Sequence, residues 1–192
     1  MYKPDIPENT YQEIVESLDD MIYELDINGR FAYANISLLK NSGYNKSQLS
    51  KMKYWELVRP DYKSSLLHFY KKQRLEKLVT TYFEFPFVTK SKEVIWVGQN
   101  VTMSFDSKGH TTKTRAVARN ITETLDIQTK LERSTKLLSQ AQSMAHIGHW
   151  EIEMANNKIF WSDITKSIHE VDENYEPNLG EAIQFYTDES RP

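Results

Sequence analysis

Three successive alternating stretches constrain this chain more than any other feature. Over residues 80–89, Phe83, Phe85 and Phe87 fall on one side and Tyr82, Glu84 and Pro86 on the other. Residues 94–105 and 111–121 follow, the last after a Ser107-Lys108-Gly109 turn. A side-chain period of two marks a half-buried strand. Pro86 has no N–H for a ladder, so it belongs at an edge or at an unpaired position. Upstream, Met21-Ile22-Tyr23-Glu24-Leu25-Asp26-Ile27 alternates as well, with Met21, Tyr23, Leu25 and Ile27 on one face. Asn28-Gly29 separates it from Arg30-Phe31-Ala32-Tyr33-Ala34-Asn35, and Asn-Gly between short strands is a strong hairpin signal.

Elsewhere the period is helical. Tyr11, Ile14, Val15 and Leu18 recur at spacings of three and four, with Thr10 as a cap and Glu13 completing a capping box. A short helix begins at Ile36 and ends at Gly43, and a second covers 46–52 with Asn45 or Ser47 as cap. Tyr54-Trp55-Glu56-Leu57-Val58 runs into a break at Arg59-Pro60-Asp61, and a longer helix spans about 62–78. Two strands, several helices and three strands argue for α+β with an antiparallel sheet. From Glu123 a heptad row places Leu131, Leu138 and Ala145 seven apart, with Ile127, Ser134 and Ala141 as companions. Strands return at 150–154 and 158–161 around Asn156-Asn157, and a helix starts from Ser162.

Composition removes several function classes. The 192 residues include no cysteine, which excludes thiolate zinc sites, cysteine nucleophiles and thiol-held cofactors, and is consistent with a reducing compartment. With 24 basic and 27 acidic residues the net charge is −3, and no basic stripe suggests nucleic acid. No apolar run approaches the ~18 residues of a membrane span, and Met1-Tyr2-Lys3-Pro4-Asp5 lacks a signal-peptide core. A cytoplasmic chain is expected. There is no phosphate-cradling glycine loop, no Gly-x-Ser-x-Gly elbow and no ATP-site motif. Asp19-Asp20 reads as a helix-to-strand junction rather than as catalytic carboxylates.

Residues 10–123 resemble a PAS domain. Asp20 to Asp26 and Gly29 to Asn35 resemble its opening hairpin, and Gly43-Tyr44-Asn45-Lys46-Ser47-Gln48-Leu49 its "GY…EL" helix. Leu57-Val58-Arg59-Pro60-Asp61-Tyr62 is similar to its "hPD" turn, with Arg59 where His is usual. Phe85 to Trp96 and Gly98-Gln99-Asn100 resemble the strands around "KDG…W", with Lys90-Ser91-Lys92 for Lys-Asp-Gly, so a different turn type is expected. Ala118-Arg119-Asn120-Ile121-Thr122-Glu123 resembles the closing "rDITE", with Asn120 for Asp and no charge for a salt bridge. In the tail, Ala145 to Glu151, Phe160-Trp161-Ser162-Asp163 and Glu176 to Tyr186 resemble the start of a second such domain.

The resemblance implies a five-stranded antiparallel sheet with helices over one face, a long linker helix and a partial second unit. The boundaries it implies are a lead-in at 1–9, a PAS domain at 10–122, a signalling helix at 123–145 and a truncated second PAS domain at 146–192. It implies a sensory module of a multidomain protein, such as the sensor region of a histidine kinase in a two-component system or of a cyclase. Any kinase or cyclase activity would lie outside this chain. A homodimer is implied, through Ile127, Leu131, Leu138 and Ala145 of the helix, together with a covalently linked output domain.

One alternative senses a small molecule; the other is a dimerising spacer with no ligand. Sensing requires a cavity behind Phe83, Phe85 and Phe87, with Tyr23, Tyr33, Trp55 and Phe69 also lining it and Asn35 and Gln99 as polar contacts. All of these also read as core aromatics and backbone-satisfied amides. No cofactor is required, haem and flavin are not expected, and the lack of cysteine removes a flavin–thiol adduct. His68 stands where haem-binding members place an iron ligand, yet beside Lys71, Lys72 and Arg74 it reads as solvent-facing. His146 and His149 carry no metal signature, and Ile147-Gly148-His149 departs from a phospho-accepting His motif.

Overall fold

The computed structural model describes residues 8–156, 158–182, 185 and 189. The lead-in through residue 7, Asn157, and residues 183, 184 and 186 of the segment ending at Tyr186 lie outside the described residues. The chain divides into two compact units, one ending at Asp126 and the other beginning at Ile127.

The first unit is α+β. Its elements are α1 (Glu8–Ser17), β1 (Met21–Leu25), β2 (Phe31–Ala34), α2 (Ile36–Ser42), α3 (Lys46–Leu49), a 3-10 turn (Tyr54–Leu57), α4 (Pro60–Leu75), β3 (Thr80–Val88), β4 (Val94–Phe105) and β5 (Thr111–Asn120). The strands form one antiparallel sheet in the order β2-β1-β5-β4-β3. Pro86 lies on β3, an edge strand, where its missing N–H costs least. The core lies on one face of the sheet, around Met21, Leu25, Val97 and Val101 with Leu38, Leu49, Leu57 and Leu66 of the covering segments.

Several local readings are corrected. β1 ends at Leu25, and Ile27 leaves the inward row to stand 81% exposed. The cause is Asp26: its Oδ1 accepts from the backbone N–H of Asn28 and Arg30, both at 2.8 Å, and draws 26–30 into a loop. Gly29 has φ +79° there, and a Cβ on it would stand 3.0 Å from the Trp55 ring. Helix α1 starts at Glu8, so Thr10 sits in its first turn rather than capping it. Asn45 rather than Ser47 caps α3, which stops at Leu49. Helix α4 begins at Pro60, since proline loses nothing at a first helical position, and it ends three residues early at Leu75.

The β3–β4 turn contains a left-handed position without a glycine. Lys92 itself takes φ +70°, and the Thr89 N–H bonds the Glu93 carbonyl at 2.9 Å. A side chain held left-handed costs about 1–2 kcal/mol, against the ~0.5–1 kcal/mol entropic cost of glycine. Lys92→Gly is therefore expected to stabilise this unit by about 0.5–1 kcal/mol, read as a rise of a few degrees in its melting temperature.

The sheet leads directly into α5 (Thr122–Met144). The Ile121 N–H donates to the Trp96 carbonyl (2.9 Å), and the Trp96 N–H donates to Thr122 Oγ1 (2.8 Å). Asn120 turns its amide oxygen to the Thr122 N–H (3.0 Å). At the far end Ala145 falls just past the helix. Its N–H bonds Ala141, the Ile147 N–H bonds Gln142, and His146 has φ +48°, so this C-cap ends the heptad row before Ala145 can extend it.

The second unit adds β6 (Trp150–Glu153) and β7 (Lys158–Trp161), an antiparallel pair, then α6 (Asp163–Ile168) and α7 (Leu179–Ala182). Ser162 caps α6, accepting from the Thr165 N–H. Ile159, Trp161 and Thr165 are buried, and the Trp161 ring lies 4.7 Å from His169 and 5.8 Å from Tyr175.

Candidate functional site

The inward positions of β5 are Ala116 and Ala118, both buried. Tyr23 of β1 pairs with Ala116, and Gln99 of β4 pairs with Ala118. Two small residues on the middle strand let long side chains from either side meet above them. The Tyr23 hydroxyl donates to Gln99 Oε1 at 2.7 Å, and Gln99 Nε2 donates to the Tyr70 hydroxyl of α4 at 2.6 Å. This Tyr23–Gln99–Tyr70 chain ties three elements together inside an otherwise apolar core.

A cavity of about 60 Å³ opens beside it, under the β1–β2 loop. Its walls include Tyr23, Tyr54, Tyr70, Arg74, Gln99 and Asp26. Burial pushes the Tyr23 and Tyr70 hydroxyls well above the ordinary tyrosine value. Burial raises Tyr54 too, although the Arg74 guanidinium beside it pulls the other way. All three phenols are therefore protonated donors at neutral pH.

The expected cavity behind Phe83, Phe85 and Phe87 is closed. Space beside Phe85 and Phe87 amounts to about 10 Å³, room for about one water. Phe83 and Phe69 pack on each other at 4.6 Å, and neither borders the larger cavity. Trp55 points away from the core, under Lys53 and against Gly29, and its neighbour Tyr54 faces inward. Tyr33 borders an open cleft of about 430 Å³ between β2 and α3, and its hydroxyl donates to Glu16 (2.9 Å). Burial and that carboxylate push the Tyr33 hydroxyl up to about 12. Asn35 is 0% exposed and fully engaged with backbone. Its Oδ1 accepts from Ile22 and Leu38, capping α2, and its Nδ2 donates to Val15 and Asp20.

Of the nine expected pocket residues, Tyr23 and Gln99 meet at the 60 Å³ cavity. The sequence reading missed Tyr54, Tyr70 and Arg74 there. Tyr70 and Arg74 are four apart on α4, a spacing that puts both on one helix face. His68 is exposed, and among the described residues no group of His, Asp or Glu is placed to hold a metal. The cavity is far smaller than the ~300–1,000 Å³ of ordinary ligand pockets, so haem and flavin do not fit it.

A family model for the PAS fold matches residues 9–121. This chain belongs to the PAS family. PAS domains are sensory and regulatory modules rather than catalysts. A PAS domain from Colwellia psychrerythraea superposes with a TM-score of 0.55 at 16% identity, covering 60% of this chain and 97% of that one. A sensory box histidine kinase/response regulator structure from Burkholderia thailandensis gives 0.56 at 17% identity, over 68% of this chain and 98% of that one. No curated protein sequence matches the chain. Among the described residues no helix is long and apolar enough to cross a membrane.

Proposed function

We propose that the PAS domain over 10–122 is the input module of a larger signalling protein, that 123–145 carry its state onward, and that 146–192 open a second PAS domain. The input is a small molecule at the Tyr23–Gln99–Tyr70 cavity. The observation carrying this is a polar, donor-lined space in the core of a sheet whose last strand leads directly into α5. The output is a kinase or cyclase unit joined to this chain. The Burkholderia structure, described as a sensory box histidine kinase/response regulator, supports that placing. The β6–β7 hairpin and Ser162-capped α6 support the second domain, since they fall in the order an opening PAS hairpin requires. A cytoplasmic setting fits a chain without cysteine.

Helix α5 has the surface of a dimer seam. Ile127, Leu131 and Leu138 are 58%, 65% and 61% exposed. Polar and small neighbours weaken such a seam and lower the cost of shifting its register. The closed space behind Phe85 and Phe87 favours a second reading, a ligand-free dimerising spacer.

Native mass spectrometry of the purified protein and of Leu131→Asp/Leu138→Asp tests both. The wild type is expected as a dimer, and the double variant as a monomer with dimerisation weakened about a hundredfold or more. Extra mass lost on denaturing supports the input reading, and a bare dimer supports the spacer. A double variant that remains dimeric removes α5 as the seam and points to α1 or the outer sheet face.

A further inference from the structure

The polar chain across the core has one proton too many. Tyr23 donates to Gln99, Gln99 donates to Tyr70, and the Tyr70 hydroxyl proton meets no acceptor among the described residues. Turning the Gln99 amide over moves the surplus to Tyr23 without removing it, because one amide oxygen cannot accept from phenols on both sides of the group. Both phenols border the cavity. Arg74 borders it too, beside the Tyr54 hydroxyl. The carboxylate in the wall, Asp26, gives an oxygen to the Asn28 and Arg30 N–H groups of its own loop. Donors thus gather on the α4 wall, at Tyr70 and Arg74, while Asp26 Oδ2 and the Thr111 and Thr114 hydroxyls supply acceptors from the loop and β5.

The α4 wall selects a ligand group that accepts hydrogen bonds, and its guanidinium adds a preference there for negative charge and for two oxygens side by side. The space, about 60 Å³, is several times the ~10–15 Å³ that one water needs. That suits a small head group whose tail leaves past the β1–β2 loop. We infer that this cavity binds the carboxylate of a short organic acid, with Arg74 and Tyr70 as its anchors. The inference rests on the input-module reading and narrows it to one chemical class.

The test titrates the whole chain with sodium acetate and propionate, against acetamide and propionamide, with sodium chloride holding ionic strength constant. Thermal shift and the Gln99 side-chain amide signal are followed together. The acids are expected to raise the melting temperature saturably and move the Gln99 signal, and the amides to do neither. Arg74→Gln should weaken acid binding about ten- to hundredfold, and Tyr70→Phe about tenfold. Lys51→Gln, which removes a charge outside the cavity wall, should leave the titration unchanged. Amides that bind as well as acids, with Arg74→Gln indifferent, overturn the carboxylate and leave the input module standing. An acid response that survives in both cavity variants overturns the inference by placing the acids elsewhere. No saturable response from either series also overturns it, and a bare dimer by native mass spectrometry would then overturn the input module as well.

Discussion

Asn35→Ala is expected to destabilise the PAS domain by about 3–5 kcal/mol, more than most single buried polar truncations. The Asn35 side chain accepts from the Ile22 N–H at 2.9 Å and the Leu38 N–H at 3.1 Å, and donates to the Val15 and Asp20 carbonyls at 3.1 and 2.9 Å. Each bond contributes roughly 1 kcal/mol, and alanine leaves four backbone groups without their partner beside a fully buried position. Urea unfolding measures the loss. Asn35→Asp separates the cap from the network. It keeps an acceptor for the two N–H groups but turns a carboxylate oxygen on two carbonyls, so it should do no better than alanine. If aspartate restores most of the stability, the position acts only as the cap of α2.

Gln99→Leu is expected to cost about 2–5 kcal/mol, because two buried phenols lose their partner at once. The triple change Tyr23→Phe, Gln99→Leu, Tyr70→Phe removes every polar atom of the chain together. It should recover most of that loss, since apolar groups of matching shape replace both sides of each bond. Unfolding of the single and triple variants under the same conditions checks this. A triple variant as unstable as Gln99→Leu would mean that packing around residue 99, not hydrogen bonding, carries the effect.

The contrast between these two amides shows what could be read from the residues. The alternation of 80–121 placed β3, β4 and β5 to within a residue or so, because a half-buried strand must repeat every two positions. Asn35 and Gln99 were both visible as amides in apolar surroundings. Nothing local distinguished the one that caps a helix from the one that spans a sheet. That difference is made by Ala116 and Ala118 on a strand remote in sequence from β1.

The inward turn of Tyr54 rather than Trp55 was hidden for a related reason. A four-residue 3-10 turn is too short for a period to establish, and its rotation is set by packing on Gly29. Arg74 was masked by Lys71 and Lys72, which make that stretch of α4 look uniformly solvated although Gln73, between Lys72 and Arg74, is buried.

The bolt between Trp96 and the root of α5 has a mechanical consequence. Trp96 holds the start of the helix through its own N–H and carbonyl, while its ring meets Tyr62 of α4 edge-on at 5.5 Å. One residue thus touches both the helix that walls the cavity and the helix that leaves the sheet. A helix of 23 residues is a lever arm about 34 Å long. A pivot of about 5° at Thr122 carries its tip through about 3 Å, more than half the pitch of an α-helical turn. On the relay proposed above, a displacement at Tyr62 too small to disturb the core would be magnified at Met144 into a step on the scale of a side-chain register.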